Sequence, residues 1–321
     1  MNILVTGGAG YIGAHTAKLL RNRGHLPVVL DDLSTGHAEF VRFGPFEQGS
    51  VLSEARLDDV LTRHRVEAAV HFAGKTLVTE SVREPELYRA VNADGTGVLL
   101  AALRRAGVRR LVFSSSCAVY GHARRERMDE EHPRRPINPY GESKLLAEQA
   151  IAAAAPGTGL RWAVLRYFNV AGADPDGELR EWHEPETHVV PTLLAAAREG
   201  RPFPLYGTAH QTPDGTAVRD YVDVNDLAAV HLEALELLEE RETLVSNVGR
   251  GAGYSVRELI ASAERVTGRA IQVREQPPRP GDPPALVADN TRLLAWSRTA
   301  GRGFRPLEES LRSAYRALQR G

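Results

Sequence analysis

The chain begins with an apolar run, Ile3 to Thr6, that passes directly into Gly7-Gly8-Ala9-Gly10-Tyr11-Ile12-Gly13 and then into helical spacing near residues 11–23. A strand, a glycine turn and a helix in that order form the first unit of a doubly wound sheet, in which the glycines let backbone approach a pyrophosphate. The helix end then offers N–H groups and a positive dipole to that anion. Gly8, Gly10 and Gly13 satisfy Gly-x-Gly-x-x-Gly, while Gly7, Gly10 and Gly13 satisfy Gly-x-x-Gly-x-x-Gly, so the loop alone does not choose between dinucleotide-binding subfamilies. Asp31 ends the second apolar run, eighteen positions past Gly13. Its carboxylate suits both ribose hydroxyls of an adenosine, and its charge, doubled by Asp32 with no arginine following, repels a 2′-phosphate. The expected cofactor is NAD rather than NADP.

The pattern continues through the first half. Val28 to Asp31, Ala68 to Phe72, Leu111 to Ser114 and Ala163 to Tyr167 read as strands, with helices near 53–64, 84–106 and 138–154. Strands that are apolar on both faces and joined by crossover helices imply a parallel sheet covered on both sides. The expected fold class is therefore α/β, a Rossmann-type doubly wound parallel sheet with a smaller C-terminal substrate domain. Beyond about residue 170 the order loosens into a polar, proline-rich stretch (174–191), a helix near 191–199 and short strands, while a helix near 223–240 and a strand near 244–247 are placed to return to the first sheet. This gives a dinucleotide-binding domain at 1–170 with a return segment at 222–248, and a discontinuous substrate domain at 171–321.

Composition removes other classes. The 321 residues carry a net charge of −1 and no basic stripe with interleaved aromatics, so nucleic acid is not an expected partner. No apolar run is long enough to span a bilayer, and Met1 leads straight into the first strand without a leader-like pattern, so a cytoplasmic protein without membrane contact is expected. A single cysteine, Cys117, excludes an intrachain disulfide and agrees with a reducing compartment.

The chemistry concentrates at Tyr140-Gly-Glu-Ser-Lys144. Of forty basic residues only Lys18, Lys75 and Lys144 are lysine, so an ammonium at 144 stands out against an arginine-rich background. Arginine does not substitute for lysine where a compact charge is needed. With nine tyrosines and three lysines, chance supplies about 0.08 Tyr-x-x-x-Lys pairs per chain. Asn138 and Pro139 suit the N-cap and first position of a helix, which puts Tyr140 and Lys144 on one face. A phenol needs about 4 kcal/mol of help to act as a base near neutrality. A cation at about 5 Å in an effective dielectric of 20 supplies roughly 3 kcal/mol, so Lys144 together with a positive nicotinamide ring is expected to suffice. Ser116 closes the run Leu111 to Ser116 at the carboxyl edge of the sheet, where it is placed to hydrogen-bond a substrate hydroxyl and shorten the proton path to Tyr140.

With these motifs in order, the chain resembles the extended short-chain dehydrogenase/reductase family, and within it the sugar-nucleotide 4-epimerases. The likeness runs through VTGGAGYIGAHT (5–16), LDDLSTG (30–36), HFAG (71–74), ESV (80–82), SSSCAVYG (114–121), NPYGESK (138–144), RYFNVAGA (166–173), DGTAVRDYVDVNDLA (214–228) and RPGD (279–282). The resemblance implies C4 epimerisation of a UDP-hexose through a transient 4-keto sugar with bound NAD. It implies that Gly7, Gly10, Tyr11, Ile12 and Gly13 wrap the pyrophosphate, that Asp31 holds the adenosine ribose, and that Phe72, Ala73, Asn92 and Tyr167 line the dinucleotide. Ser116, Tyr140 and Lys144 become the catalytic set, Tyr140 and Lys144 also contacting the cofactor. Asn169, His188, Arg219, Arg279 and Asp282 become the UDP-sugar contacts, with Ser116. A homodimer built on the helices near 84–106 and 138–154 is implied as well.

Some positions depart from the family pattern. Ser50 stands where an adenine-binding Asp is common and Thr76 where a cofactor-binding Lys often follows Lys75, while the intermediate size of Leu286 leaves open whether 2-acetamido sugars are admitted; pentose epimerases and decarboxylating relatives remain alternatives. Cys117 and Ala118 replace the acidic pair that a dehydratase carries after its catalytic serine, which disfavours dehydration. A cofactor-sensing protein without turnover and a simple alcohol dehydrogenase are the rivals from other classes; an intact Ser116, Tyr140 and Lys144 set opposes the first, and the second would leave net NADH. His183 and His188 lie five apart with Pro185 between them, so helical His-Glu-x-x-His geometry fails and no metal is expected there.

Overall fold

A computed structural model describes residues 1–279 and 283–320. They divide into two compact units: Met1–His122, Pro133–Tyr167 and Ala228–Ser246 make the first, and Ala123–His132, Phe168–Leu227 and Asn247–Gly321 the second. In chain order the strands are β1 (Asn2–Thr6), β2 (Leu26–Asp31), β3 (Phe46–Gln48), β4 (Ala68–His71), β5 (Arg110–Ser116), β6 (Arg161–Tyr167), β7 (Asn169–Ala171), β8 (Phe203–Tyr206), β9 (Val218–Asp223), β10 (Thr243–Val248), β11 (Gly253–Ser255), β12 (Val273–Gln276) and β13 (Ala285–Leu286).

Seven strands form the sheet of the first unit in the order β10-β6-β5-β4-β1-β2-β3. The pairs from β3 across to β6 are all parallel. Alternate residues bury on opposite faces: Leu4, Val28, Leu30, Leu111 and Phe113 pack with Leu57, Leu61, Leu99 and Leu103 of the helices Glu54–Arg63 and Gly95–Arg105. Ile3, Val5, Val29, Val70, Val112 and Leu165 are equally buried in the sheet. Burial on both faces explains why the strands read as continuous apolar runs. The sequence expectation of a doubly wound parallel sheet is met.

Strand order reverses between β1 and β4, which is where ligands bind in such sheets. The segments leaving these two strands are tied to each other, since Phe72 N and Ala73 N both donate to Thr6 O at 2.9 and 3.1 Å. Gly7 turns there with φ +69°, and a Cβ on it would lie 2.5 Å from Ala73 N. Close approach, more than turn geometry alone, makes glycine necessary.

Three local expectations are revised. The helix expected near 84–106 is broken into Pro85–Tyr88, a π-turn over Arg89–Asp94 and Gly95–Arg105. The amide of Asn92, inside that π-turn, is drawn to Lys75 and Ser143, and the extra backbone loop accommodates it. Strand β3 is too short and too polar for its periodicity to announce it. Residues 123–132 belong with the second unit rather than inside a continuous 1–170 domain, because Met128 bridges Ala288 and its carbonyl accepts from Asn247.

In the second unit, β9 pairs with β7, β11 and β13, and the helices Val189–Glu199, Val256–Thr267 and Leu307–Arg320 share a core of Leu193, Leu194, Leu259, Ala263, Leu311 and Tyr315. Asp220 is fully buried on β9, and its carboxylate accepts backbone N–H groups of Arg250, Gly251 and Ala288. Burial outweighs those bonds and lifts its pKa to about 6. Among the described residues no helix is long and apolar enough to cross a membrane.

The glycine loop yields a direct test. A Cβ on Gly13 would lie 2.2 Å from the carbonyl oxygen of Gly7, a backbone atom with no room to retreat. Gly13→Ala is expected to cost roughly 2 kcal/mol and to lower the melting temperature by several degrees in calorimetry.

Candidate active site

Asn138 caps the helix Pro139–Ala154 by accepting from Gly141 N at 2.9 Å, with Pro139 at its first position, as the sequence anticipates. The helix presents Tyr140 and Lys144 toward the end of β5. The Ser116 hydroxyl stands close enough to the Tyr140 phenol to lower its pKa, and its Oγ accepts from Ala118 N at 3.2 Å. Lys144 is buried, donates to Ser114 O at 3.0 Å and lies 5.0 Å from the centroid of the Phe113 ring. Tyr167, opposite Ser116 in the β5–β6 register, bonds the Ser114 hydroxyl through its own. The ring of Tyr88 meets that of Tyr140 edge-on at 6.3 Å. The structure therefore gathers Ser116, Tyr140, Lys144 and Tyr167 within the first unit.

The electrostatics differ from the expectation in one respect. The protein packed around the Tyr140 phenol pushes its pKa up, to about 12, against a smaller lowering by the Ser116 hydrogen bond, even though the residue keeps some solvent-accessible surface. Lys144 is not among the groups that move it. Burial lowers Lys144 itself to about 8, opposed by Glu148 one turn further along. The protein alone does not acidify the phenol.

At the switch point the loop has the shape that a dinucleotide demands. Gly10 precedes the helix Tyr11–Asn22 without a side-chain cap, and no acidic residue occupies the first turn, so Tyr11, Ile12 and Gly13 leave the positive helix end open to an anion. A Cβ at Gly8 would meet Val29 at 2.8 Å. Asp31 Oδ2 accepts from Ala9 N and Oδ1 from Leu33 N, which fixes the carboxylate at the end of β2. Burial raises its pKa, with those two bonds working against it. Phe72 and Ala73 follow β4 on the opposing segment, where the Phe72 ring lies 4.7 Å from that of His231, tilted at 45°. Asn92 uses its amide on Lys75 O and Ser143 Oγ, and its Oδ1 accepts from Lys75 N at 2.7 Å. It lies against Gly74, where a Cβ would meet Asn92 Oδ1 at 2.9 Å and Lys144 Nζ at 3.3 Å.

The remaining expected contacts belong to the second unit. Asn169 pairs with Tyr221 on β9. The Arg219 guanidinium donates to Val218 O and Pro283 O, and that of Arg279 lies 4.1 Å from the centroid of the Tyr206 ring. His188 shares a 2.5 Å hydrogen bond with Glu181. Burial disfavours the charged imidazole, but that bond prevails and raises its pKa. Asp282 lies outside the described residues.

Two buried networks escaped sequence reasoning. Glu148 accepts from Arg166 through both carboxylate oxygens, at 2.9 and 2.6 Å, and from Ser115 Oγ at 2.6 Å, while Arg166 also reaches Tyr120 OH at 3.0 Å. Glu148 stands one helical turn past Lys144, a spacing that was available as a signal. His71 is bonded by Thr6 at one ring nitrogen and by Thr96 at the other, and burial, with the Lys144 charge, lowers it to about 3. Nothing in the sequence distinguishes it from any other histidine near a strand end.

Residues 3–249 match the NAD dependent epimerase/dehydratase family. The chain is 47% identical to a UDP-glucose 4-epimerase of Rhizobium meliloti over 302 residues, covering 92% of each. Among solved structures it is similar to UDP-glucose 4-epimerase from Brucella ovis in complex with NAD, with a TM-score of 0.92 and 45% identity over 98% of this chain and 97% of that one. It is also similar to the Bifidobacterium longum enzyme in complex with NAD+ and UDP, with a TM-score of 0.93 and 31% identity over 100% and 99% of the two chains. A Rossmann-type sheet, a glycine loop that leaves no room for side chains and a Ser-Tyr-Lys cluster at the edge of β5 agree with that likeness, and the chain belongs to the NAD dependent epimerase/dehydratase family.

Proposed function

We propose that this protein interconverts UDP-glucose and UDP-galactose by reversible epimerisation at C4, with no net oxidation. The observation that carries the reading is the Tyr140 phenol beside the Ser116 hydroxyl at the end of β5 with the buried ammonium of Lys144 one turn along. Gly7, Gly10, Tyr11, Ile12 and Gly13 would hold the NAD pyrophosphate and Asp31 the adenosine ribose, with Phe72, Ala73 and Tyr167 beside the dinucleotide. Asn92 supports them by fixing the segment at Lys75. The chemistry that NAD supplies when bound is reversible hydride transfer at its nicotinamide ring.

Tyr140 takes the proton of the sugar 4-hydroxyl, with Ser116 donating to the oxygen that stays on carbon. Lys144 would hold a ribose hydroxyl through its ammonium, and the positive charge that favours phenolate would come with the bound nicotinamide ring. Loss of the C4 hydride leaves a 4-keto sugar, which turns about its bond to the diphosphate and offers its other face. The hydride comes back to C4 on that face as Tyr140 returns the proton to the oxygen, so one group serves both directions and no net oxidation remains. Such a cycle requires binding energy to sit on UDP rather than on the hexose, and Asn169, His188, Arg219, Arg279 and Asp282 are assigned to that grip. The buried thiol of Cys117 suits a reducing compartment, and the cytoplasm is the proposed location.

Incubation of the purified protein with UDP-galactose, UDP-glucose, their N-acetylhexosamine counterparts and UDP-pentoses, followed by separation of products, tests the assignment. UDP-galactose and UDP-glucose are expected to interconvert without added reductant. Tyr140→Phe should lose at least about a thousandfold in kcat while retaining NAD. Full activity in that variant would remove Tyr140 from the role of base.

Lys144 predicts an opposition between stability and activity. Its ammonium is favoured more in the unfolded chain than in the buried site, so the destabilisation is full below about pH 8 and fades as pH rises from there toward the unfolded value near 10.5. Lys144→Met should therefore raise the melting temperature at pH 7, by up to about 3 kcal/mol of stability, and the advantage should vanish near pH 10.5 while activity is lost at every pH. A variant less stable at pH 7 would refute the buried-charge account.

We also infer a homodimer that joins the helices Gly95–Arg105 and Pro139–Ala154 across its axis. Gly97, Ala101 and Ala150 line an open groove there with Val98 and Leu146, small residues that let a partner helix approach closely. Leu146→Glu is expected to shift the mass from dimer to monomer in sedimentation equilibrium. A wild-type monomer, or an unchanged dimer in the variant, counts against this interface.

A further inference from the structure

We propose that the loop from Glu181 to His188 is a four-coordinate site for zinc or a transition metal of similar size. One carboxylate oxygen each from Glu181 and Glu186 and one ring nitrogen each from His183 and His188 lie within 4.8 Å of one another. Two imidazoles and two carboxylates form the mixed nitrogen and oxygen donor set that suits zinc, and bonds of about 2.0–2.1 Å in a tetrahedron place donors roughly 3.3 Å apart. Nδ1 of His188 is 2.5 Å from Glu181 Oε1, and Nδ1 of His183 is 3.4 Å from Glu186 Oε2 and 3.8 Å from Glu181 Oε1. The separations bracket the tetrahedral edge, so modest side-chain rotation completes the polyhedron.

The surroundings favour a cation over a purely internal network. Backbone N–H groups of Thr187 and His188 both donate to Glu186 Oε1 at 2.9 Å, which orients the other oxygen toward His183 in the way that outer contacts orient metal ligands. Among the described residues the ion pairs of Glu181 and Glu186 are with these histidines alone. Arg180, which precedes Glu181 in the chain, has its guanidinium 4.7 Å from the centroid of the Trp182 ring. With neutral imidazoles the cluster carries two negative charges that a divalent ion balances. Helical spacing fails here because Pro185 interrupts it, and the absence of metal expected from the sequence rested on that helical geometry; a loop gathers the same side chains by a different route.

His188 is the residue before the helix Val189–Glu199 and makes no side-chain cap bond. Ligation would lock the loop to the start of that helix. Ligation through Nδ1, the nitrogen that faces Glu181, would leave Nε2 of His188 for the sugar nucleotide.

The test uses the full-length protein stripped with chelator and titrated with Co2+ and then Zn2+. One Co2+ per chain with the strong visible bands of a four-coordinate ion is expected, displaced by equimolar Zn2+, and Zn2+ should raise the melting temperature. Glu186→Gln, which keeps the size of the side chain, and His183→Ala should each weaken Zn2+ binding by about 100-fold or more and abolish the thermal shift, circular dichroism confirming that both variants fold. Weak, six-coordinate cobalt bands, or equal Zn2+ affinity in wild type and Glu186→Gln, would overturn the site. These readouts follow the metal alone and stand whether or not the proposed epimerisation is correct.

Discussion

Arg166 and Glu148 face each other with 3% and 4% of their side chains exposed, joined by two hydrogen bonds. Isolated burial of either charge would cost several kcal/mol, and even a well-made pair often does no more than break even against apolar replacements. What the pair does supply is geometry. Glu148 projects from the helix that carries Tyr140 and Lys144, Arg166 projects from β6, and Ser115 of β5 donates to the same carboxylate. Three elements are thus locked in one rotational setting. Turning the helix enough to move the phenol away from Ser116 would strand a buried charge, so the arrangement of the candidate site inherits its precision from a network one layer beneath it.

That scaffold holds the phenol of Tyr140 protonated and makes the Lys144 ammonium easier to deprotonate, in a way that suits a cofactor-dependent protein. Burial drives Tyr140 toward the phenol and Lys144 toward the amine, so each resists the charge that catalysis asks of it. His71, close enough to Lys144 to be affected by it, is held neutral by the same burial and by its two threonines. A site tuned this way has little basicity until a positive ring and an anionic diphosphate arrive together. Protonation is then coupled to loading, which guards a reactive phenolate from forming in the unloaded protein.

The parts legible in the sequence were those in which a residue type has a local reason to be where it is. Gly7 and Gly13 are required by backbone approach, Asn138 and Pro139 by a helix start, and the Tyr140 to Lys144 spacing by one turn of helix; each follows from a few neighbouring residues. Glu148 offered one signal, its place one turn past Lys144, but its pairing with Arg166 was illegible because eighteen residues separate them, and in a chain of forty basic and forty-one acidic residues a charge carries no sign of its burial. Asn92 shows the intermediate case. Its importance was anticipated, but the π-turn that lets it clasp Lys75 and Ser143 has no periodic signature.

Arg219 and Arg279 bear on how UDP would be gripped while a hexose turns over. Donation from Arg219 to Val218 O and Pro283 O orders its guanidinium, and the Tyr206 ring 4.1 Å away does the same for that of Arg279. An arginine already ordered loses less entropy when it meets a phosphate than one recruited from solvent. If these two hold the diphosphate as proposed, the grip is strong because it is prepaid in folding, and none of it depends on contacts to the sugar. A loosely held keto ring is then free to rotate, which is the condition that separates an epimerase from an enzyme that fixes one face of its substrate.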